Sequence, residues 1–326
     1  MTSSRTHLPR GGARGIGRFG RRALFGALPV ASLAFAAQAQ PADAATLLVP
    51  GPETGPLALF GTRAAAGLAR NMPQAVALRL ETLGGPDGVT AANRFATSDT
   101  AGRALLILPG AAVHARMAGD VRVRFEPTGW VPLLALLQPV WLAGRGALPA
   151  AGGRAVWRVA VSGPGNADSA ALLALDLLGI PGAPVPVGPL PGAAEAAIRA
   201  DQADALMICG PDPAQRAGSL GLQPWLRFGT PASLSDRGPV ALACLAAIAS
   251  LRLRGLMVLP ALIGSDQAAT WRLAATRFVE DEQHDGPDGL LGPTQAADLM
   301  GTLFPAPDAI LAWREWAQRR LGTRAG

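Results

Sequence analysis

Two short glycine-rich segments hold the residues of this chain best suited to act on a ligand. The first runs Val49-Pro50-Gly51-Pro52-Glu53-Thr54-Gly55-Pro56, and the second Val161-Ser162-Gly163-Pro164-Gly165-Asn166-Ala167-Asp168-Ser169. Each stands between an apolar run of strand type and a stretch with helical spacing. A strand-to-helix turn of this kind presents free backbone N–H groups and a partial positive charge to an anion. Glycine lets the backbone come close to a ligand, and Thr54, Ser162, Asn166 and Ser169 add short polar side chains. A Gly-Pro-Gly-Asn turn is equally what a tight structural connection needs, with Asp168 or Ser169 as a helix N-cap. The phosphate-binding versions fail on detail. The second loop lacks the third glycine of a dinucleotide fingerprint, and the chain has no lysine for a Gly-Lys-Ser/Thr loop.

Covalent and metal chemistry find less support. No Gly-x-Ser-x-Gly elbow occurs. Beyond the first 39 residues only His114 and His284 offer imidazoles, and neither has a partner at metal-ligand spacing. No metal and no cofactor is expected. An exported two-lobed α/β enzyme, a hydrolase or transferase, is the alternative reading, and Asp168, Cys209, Asp212 and His114 are its candidates. Cys209 and Cys244 have apolar flanks and read as two buried thiols. The acidic stretch Glu280-Asp281-Glu282-Gln283-His284-Asp285 reads as a solvated helix end, because consecutive residues point in different directions around a helix.

The elements that would position the two loops follow an α/β pattern. Strands are predicted at Thr46–Val49, Val76–Leu80, Ala104–Leu108, Val156–Val161, Ala205–Cys209 and Gly255–Leu259. Helical spacing marks Leu59–Arg70, Ser169–Leu178, Ala193–Ala200, Gln267–Glu280 and Pro307–Leu321. The apolar stretch Trp130–Ala143 is interrupted by Pro132 and Pro139, so it reads as buried chain crossing between lobes and not as a membrane span. Gly- and Pro-rich residues 147–153 mark one boundary, and residues 229–238 precede another.

The chain has 326 residues, 49% of them hydrophobic and 16% charged, which is the profile of a folded globular protein. Its formal charge of +6 lies entirely in residues 1–39, which hold six arginines and no acid. The remainder balances 23 arginines against 23 acids, so no general attraction to nucleic acid or anionic lipid exists. Residues 1–39 read as an export signal. Arg21-Arg22 stands directly before an apolar run, as in a twin-arginine signal, and Ala37-Gln38-Ala39 and Ala42-Asp43-Ala44 are two candidate cleavage sites. The mature chain is expected in the periplasm, without stable membrane insertion.

In order along the chain, a series of segments resembles the extracytoplasmic solute-binding proteins of tripartite tricarboxylate transporters, the Bug family. Leu48-Val49-Pro50 with its Gly/Pro turn is similar to that family's opening strand and loop. Leu83-Gly84-Gly85-Pro86-Asp87-Gly88, Asp99–Leu106, Ser162–Asn166, Gln202–Met207 and Gly255–Ala261 are similar to its later segments. The resemblance spans residues 46–321. It implies a type II periplasmic-binding-protein fold, two lobes that are each a mostly parallel sheet flanked by helices, with residues 45–142 and 250–326 as lobe 1 and 143–249 as lobe 2. It further implies a monomer that does no chemistry, closes on a small organic acid and delivers it to membrane permease subunits. Carried over by position, the ligand residues are Thr54, Gly55, Ser162, Gly163, Gly165, Asn166, Asp168, Ser169 and Asp212. Two departures stand out. Gly55 is followed by Pro56-Leu57-Ala58 where the family has two hydroxyls and a carboxylate, and Ile208-Cys209 replaces an Asp-Asn pair. A divergent member acting as a sensor partner is a third reading.

Overall fold

The computed structural model describes residues 43–85, 87–97, 103–229, 238–282 and 289–322. Residues 1–39, read from the sequence as an export signal, together with His284 and most of the segment before residue 238, lie outside the described residues.

Two sheets form the frame. The strands of the first are β1 (Asp43–Pro50), β2 (Val76–Leu83), β3 (Ala104–Leu108), β4 (Val131–Leu137), β10 (Leu253–Leu259) and β11 (Leu290–Leu291). Those of the second are β5 (Val140–Gly144), β6 (Trp157–Val161), β7 (Gly182–Pro186), β8 (Ala205–Cys209) and β9 (Gln223–Phe228). The first sheet is ordered β2-β1-β3-β10-β4-β11 and the second β7-β6-β8-β5-β9. In both, the first three strands pair in parallel and the fourth runs against its neighbours, β10 in the first sheet and β5 in the second; in the first sheet the edge strand β11 also runs against β4. That fourth strand is in each case the one the chain forms on arriving from the other lobe. All six strand segments expected from the sequence are strands, and the apolar Trp130–Ala143 stretch does cross between lobes. It does so as two strands, β4 and β5, one in each sheet, with the crossing at Gln138 and Pro139.

Ten helices cover these sheets among the described residues. They are α1 (Pro56–Asn71), α2 (Val89–Thr97), α3 (Gly110–Ala118), α4 (Ala170–Leu177), α5 (Ala193–Arg199), α6 (Pro213–Ser219), α7 (Pro239–Arg252), α8 (Ser265–Glu282), α9 (Pro293–Leu303) and α10 (Pro307–Leu321). Strand side chains alternate between faces, and here both faces are covered. Leu47, Val49, Leu105 and Ile107 meet Phe60, Ala64 and Leu68 of α1 and Trp271 and Phe278 of α8. Leu48, Leu106 and Leu108 point the other way, onto Ala92 and Phe95 of α2 and Val113 of α3.

The lobes are joined by more than the crossing chains. Ala243, Cys244, Ala247 and Ile248 of α7 pack with Leu172 of α4, Val159 of β6, Met117 of α3 and Trp313 of α10 in one buried cluster. Gln138 ties the two crossings together. Its N–H donates to Arg252 O at 2.7 Å, and its side-chain amide donates to Leu251 O at 2.8 Å. Among the described residues no helix is long and apolar enough to cross a membrane.

Candidate ligand-binding cleft

Helix α3 starts directly after β3 and carries the lobe 1 side of a cavity of about 390 Å³. Pro109 is its N-cap, and the first intrahelical bond is made by Ala112 N–H to Pro109 O at 3.1 Å. Gly110 and Ala111 precede that bond, so their amides belong to the helix's unpaired donors. Gly110 is required by packing: a β-carbon there would stand 1.8 Å from Ser250 O of α7. The close contact lets Ser250 and Leu251 line the same cavity.

At its far end α3 closes on Gly119, in the left-handed region at φ +84°, with Asp120 N–H reaching back to Ala115 O at 2.9 Å. Arg314 of α10 donates to the last α3 carbonyls, Arg116 O and Met117 O. The reversal returns Asp120 and Arg122 to the cavity, and Asn93 of α2 pins them there by bonds to Arg122 O and Arg124 N–H, both 2.8 Å. Arg122 spends its fork on two acids. Its Nη1 meets Asp87 at 2.7 Å and its Nη2 meets Asp120 at 2.6 Å. The bond from Arg122 holds the Asp120 carboxyl below its usual range.

Lobe 2 supplies the loop after β6. Ser162, Gly165, Asn166, Ala167 and Asp168 line the cavity facing α3. Asp168 does not cap the helix that follows. Its Oδ2 accepts the Ser162 N–H at 2.8 Å and so staples the loop shut, while Oδ1 is buried without a partner. Burial raises the Asp168 carboxyl, and the Ser162 bond opposes that rise. Ser169 is fully buried and its hydroxyl donates to Asn166 O at 2.6 Å, so it supports the loop from behind. Gly163, at φ +128°, lets the chain turn above the staple.

His114 lines the cavity from α3, one turn below its start. It is 2% exposed, stands edge-on to Trp313 with ring centres 5.1 Å apart, and neither ring nitrogen has a hydrogen-bond partner. Burial pushes its pKa down to about 3, so the imidazole is neutral at ordinary pH.

The other sequence candidates lie elsewhere. Thr54 is exposed, Gly55 opens α1 by accepting the Leu59 N–H at 3.0 Å, and Asp212 is exposed ahead of α6. None of the three is part of this cavity's lining. The lining acids Asp87 and Asp120 and their partner Arg122 carried no motif in the sequence beyond the Asp87-Gly88 turn. Cys209 and Cys244 are both free, and burial pushes each thiol up to about 12, which leaves them poor nucleophiles. No group of acids, histidines and cysteines able to hold a metal ion occurs among the described residues.

No protein-family model matches this sequence, and no curated protein matches it. Among solved structures, a TctC solute-binding protein from Polaromonas, determined without ligand, superposes with a TM-score of 0.61. The two are 14% identical over 84% of this chain and 97% of that one. This chain has that protein's fold. The periplasmic binding protein BugD gives a TM-score of 0.48 at 14% identity, covering 87% of this chain and 99% of its own. MatC from Rhodopseudomonas palustris, solved with malate, gives 0.47 at 19% identity over 85% of this chain and its whole length.

Proposed function

We propose that this chain is exported, that its mature part is a periplasmic solute-binding protein of the Bug type, and that it takes up a small organic acid between its lobes. The observation that carries this reading is the cavity at the mouths of β3 and β6, built from one strand-to-helix turn of each lobe. On one wall the first amides of α3 offer unpaired N–H groups and the positive end of a helix dipole, which suit a carboxylate. On the other wall the stapled 162–169 loop closes over it.

The protein acts as a monomer that presents its load to membrane permease subunits, and it binds without chemistry. A buried neutral His114 with no carboxylate behind it, and a thiol held protonated at Cys209, give an enzyme little to work with. The low identity to the Polaromonas protein supports a divergent member.

Calorimetric titration of residues 40–326 with mono-, di- and tricarboxylates tests the proposal. One saturable site is expected, weakened at least tenfold by Ser162→Trp or Asn166→Trp. A folded protein that takes up none of these acids contradicts it.

A further inference from the structure

We infer that α10 is a strap fastened to both lobes, and that it holds the cleft at one preset opening before any solute arrives. By chain order α10 follows the last elements of lobe 1, yet its side chains tie it to both sides. Toward lobe 1, Arg314 Nε donates to Met117 O at 3.0 Å and its Nη2 to Arg116 O at 3.1 Å. These carbonyls end α3, where a cation also suits the helix dipole. Toward lobe 2, Arg320 makes a two-pronged pair with Asp176 of α4, Nε to Oδ2 at 3.0 Å and Nη2 to Oδ1 at 2.8 Å. The same Nη2 donates to Gly182 O of β7, and Trp316 Nε1 donates to Asp176 Oδ2, both at 2.8 Å.

The two sets of anchors sit on one unbroken helix, Pro307–Leu321, about 9 Å apart along its axis at about 1.5 Å per residue. Beside Arg314, the fully buried Trp313 stands edge-on to His114 of α3 and packs in one cluster with Val159 and Leu172 of lobe 2. Swinging lobe 2 away from lobe 1 must therefore break one set. At the lobe 1 end the Arg314 guanidinium and the last α3 carbonyls would lose their bonds, and Trp313 would leave His114. At the lobe 2 end Asp176 would lose its bonds to Arg320 and Trp316, which are charge-assisted and hence among the stronger ones. Helix α7 adds a second bridge. Its Ser250 O lies against Gly110 of α3, while its Ala243 and Ala247 pack in the same cluster as Leu172. A solute still has a way in, because Ala111, Gly165 and Asn166 line the cavity and are exposed. Loading then needs no separation of the lobes.

Double electron–electron resonance on residues 40–326, with no acid added, tests the strap. Spin labels are carried on Ala66→Cys of α1 and Ala196→Cys of α5, both exposed positions, together with Cys209→Ala and Cys244→Ala. One narrow distance is expected. Asp176→Ala, which removes the lobe 2 anchor, is expected to add a second, longer distance, and Arg314→Gln to do the same from the other end. A broad or two-peaked distribution with the anchors intact overturns the inference, as does a distribution that neither variant changes. Where a variant does not fold, the distribution with intact anchors decides. Because no solute is involved, failure here leaves the solute-binding reading standing.

Discussion

A neutral imidazole sealed between α3 and α10 ties the stability of this protein to pH. His114 has a pKa of about 3 in the folded protein against 6.5 when exposed. Above about pH 6.5 both states are neutral and the residue has no effect. Below it the unfolded chain takes up a proton that the folded chain refuses until about pH 3, so stability falls across that window by up to about 1.4 kcal/mol per pH unit. Urea unfolding at pH 7 and pH 5 is expected to show the loss, and His114→Leu to remove most of the difference. An unchanged slope in that variant would assign the acid sensitivity to other groups. At this scale the sequence revealed the 162–169 loop, because glycine, serine and asparagine after an apolar strand are a visible pattern. It did not reveal Arg122 or Asp120. They reach the cavity only because Gly119 reverses the chain and Asn93 pins the returning segment, and both are tertiary facts.

At the scale of elements, the strands were legible because burial on both faces leaves short, nearly unbroken apolar runs. Pro132 blurred β4. It pairs with Val258 beside an irregularity in the β4–β10 register, which is where a sheet tolerates a residue without an N–H. Helix α7 escaped notice for the opposite reason. It touches α3, α4, α9 and α10, so Ala243 through Ser250 is buried almost throughout and shows no polar face to set a helical period. The cluster that α7 shares with α10 makes Trp313 a keystone of the join between lobes, fully buried and flanked by His114 and Trp316. Trp313→Ala is expected to cost about 3–5 kcal/mol, read as a fall in urea midpoint, whereas Trp313→Phe, which keeps most of the ring, costs clearly less. Equal losses for both would mean that the site needs the full indole shape and gains nothing from a smaller ring, since the indole N–H has no partner there.

The described residues form two sheets with one strand plan, joined by two crossing chains that Gln138 ties together and by the buried cluster of α7 and α10. Such a plan suits the proposed clamp, in which a ligand would be gripped where strand ends and helix starts converge from both sides. The most direct measurement is an amide NMR titration of residues 40–326 with the tightest-binding acid of the calorimetric panel. The resonances of Gly110 and Ala111 in one lobe and of Ser162 and Gly165 in the other are predicted to shift together, at one half-saturation concentration. Shifts confined to one lobe, or absent from both, would contradict a solute held between them.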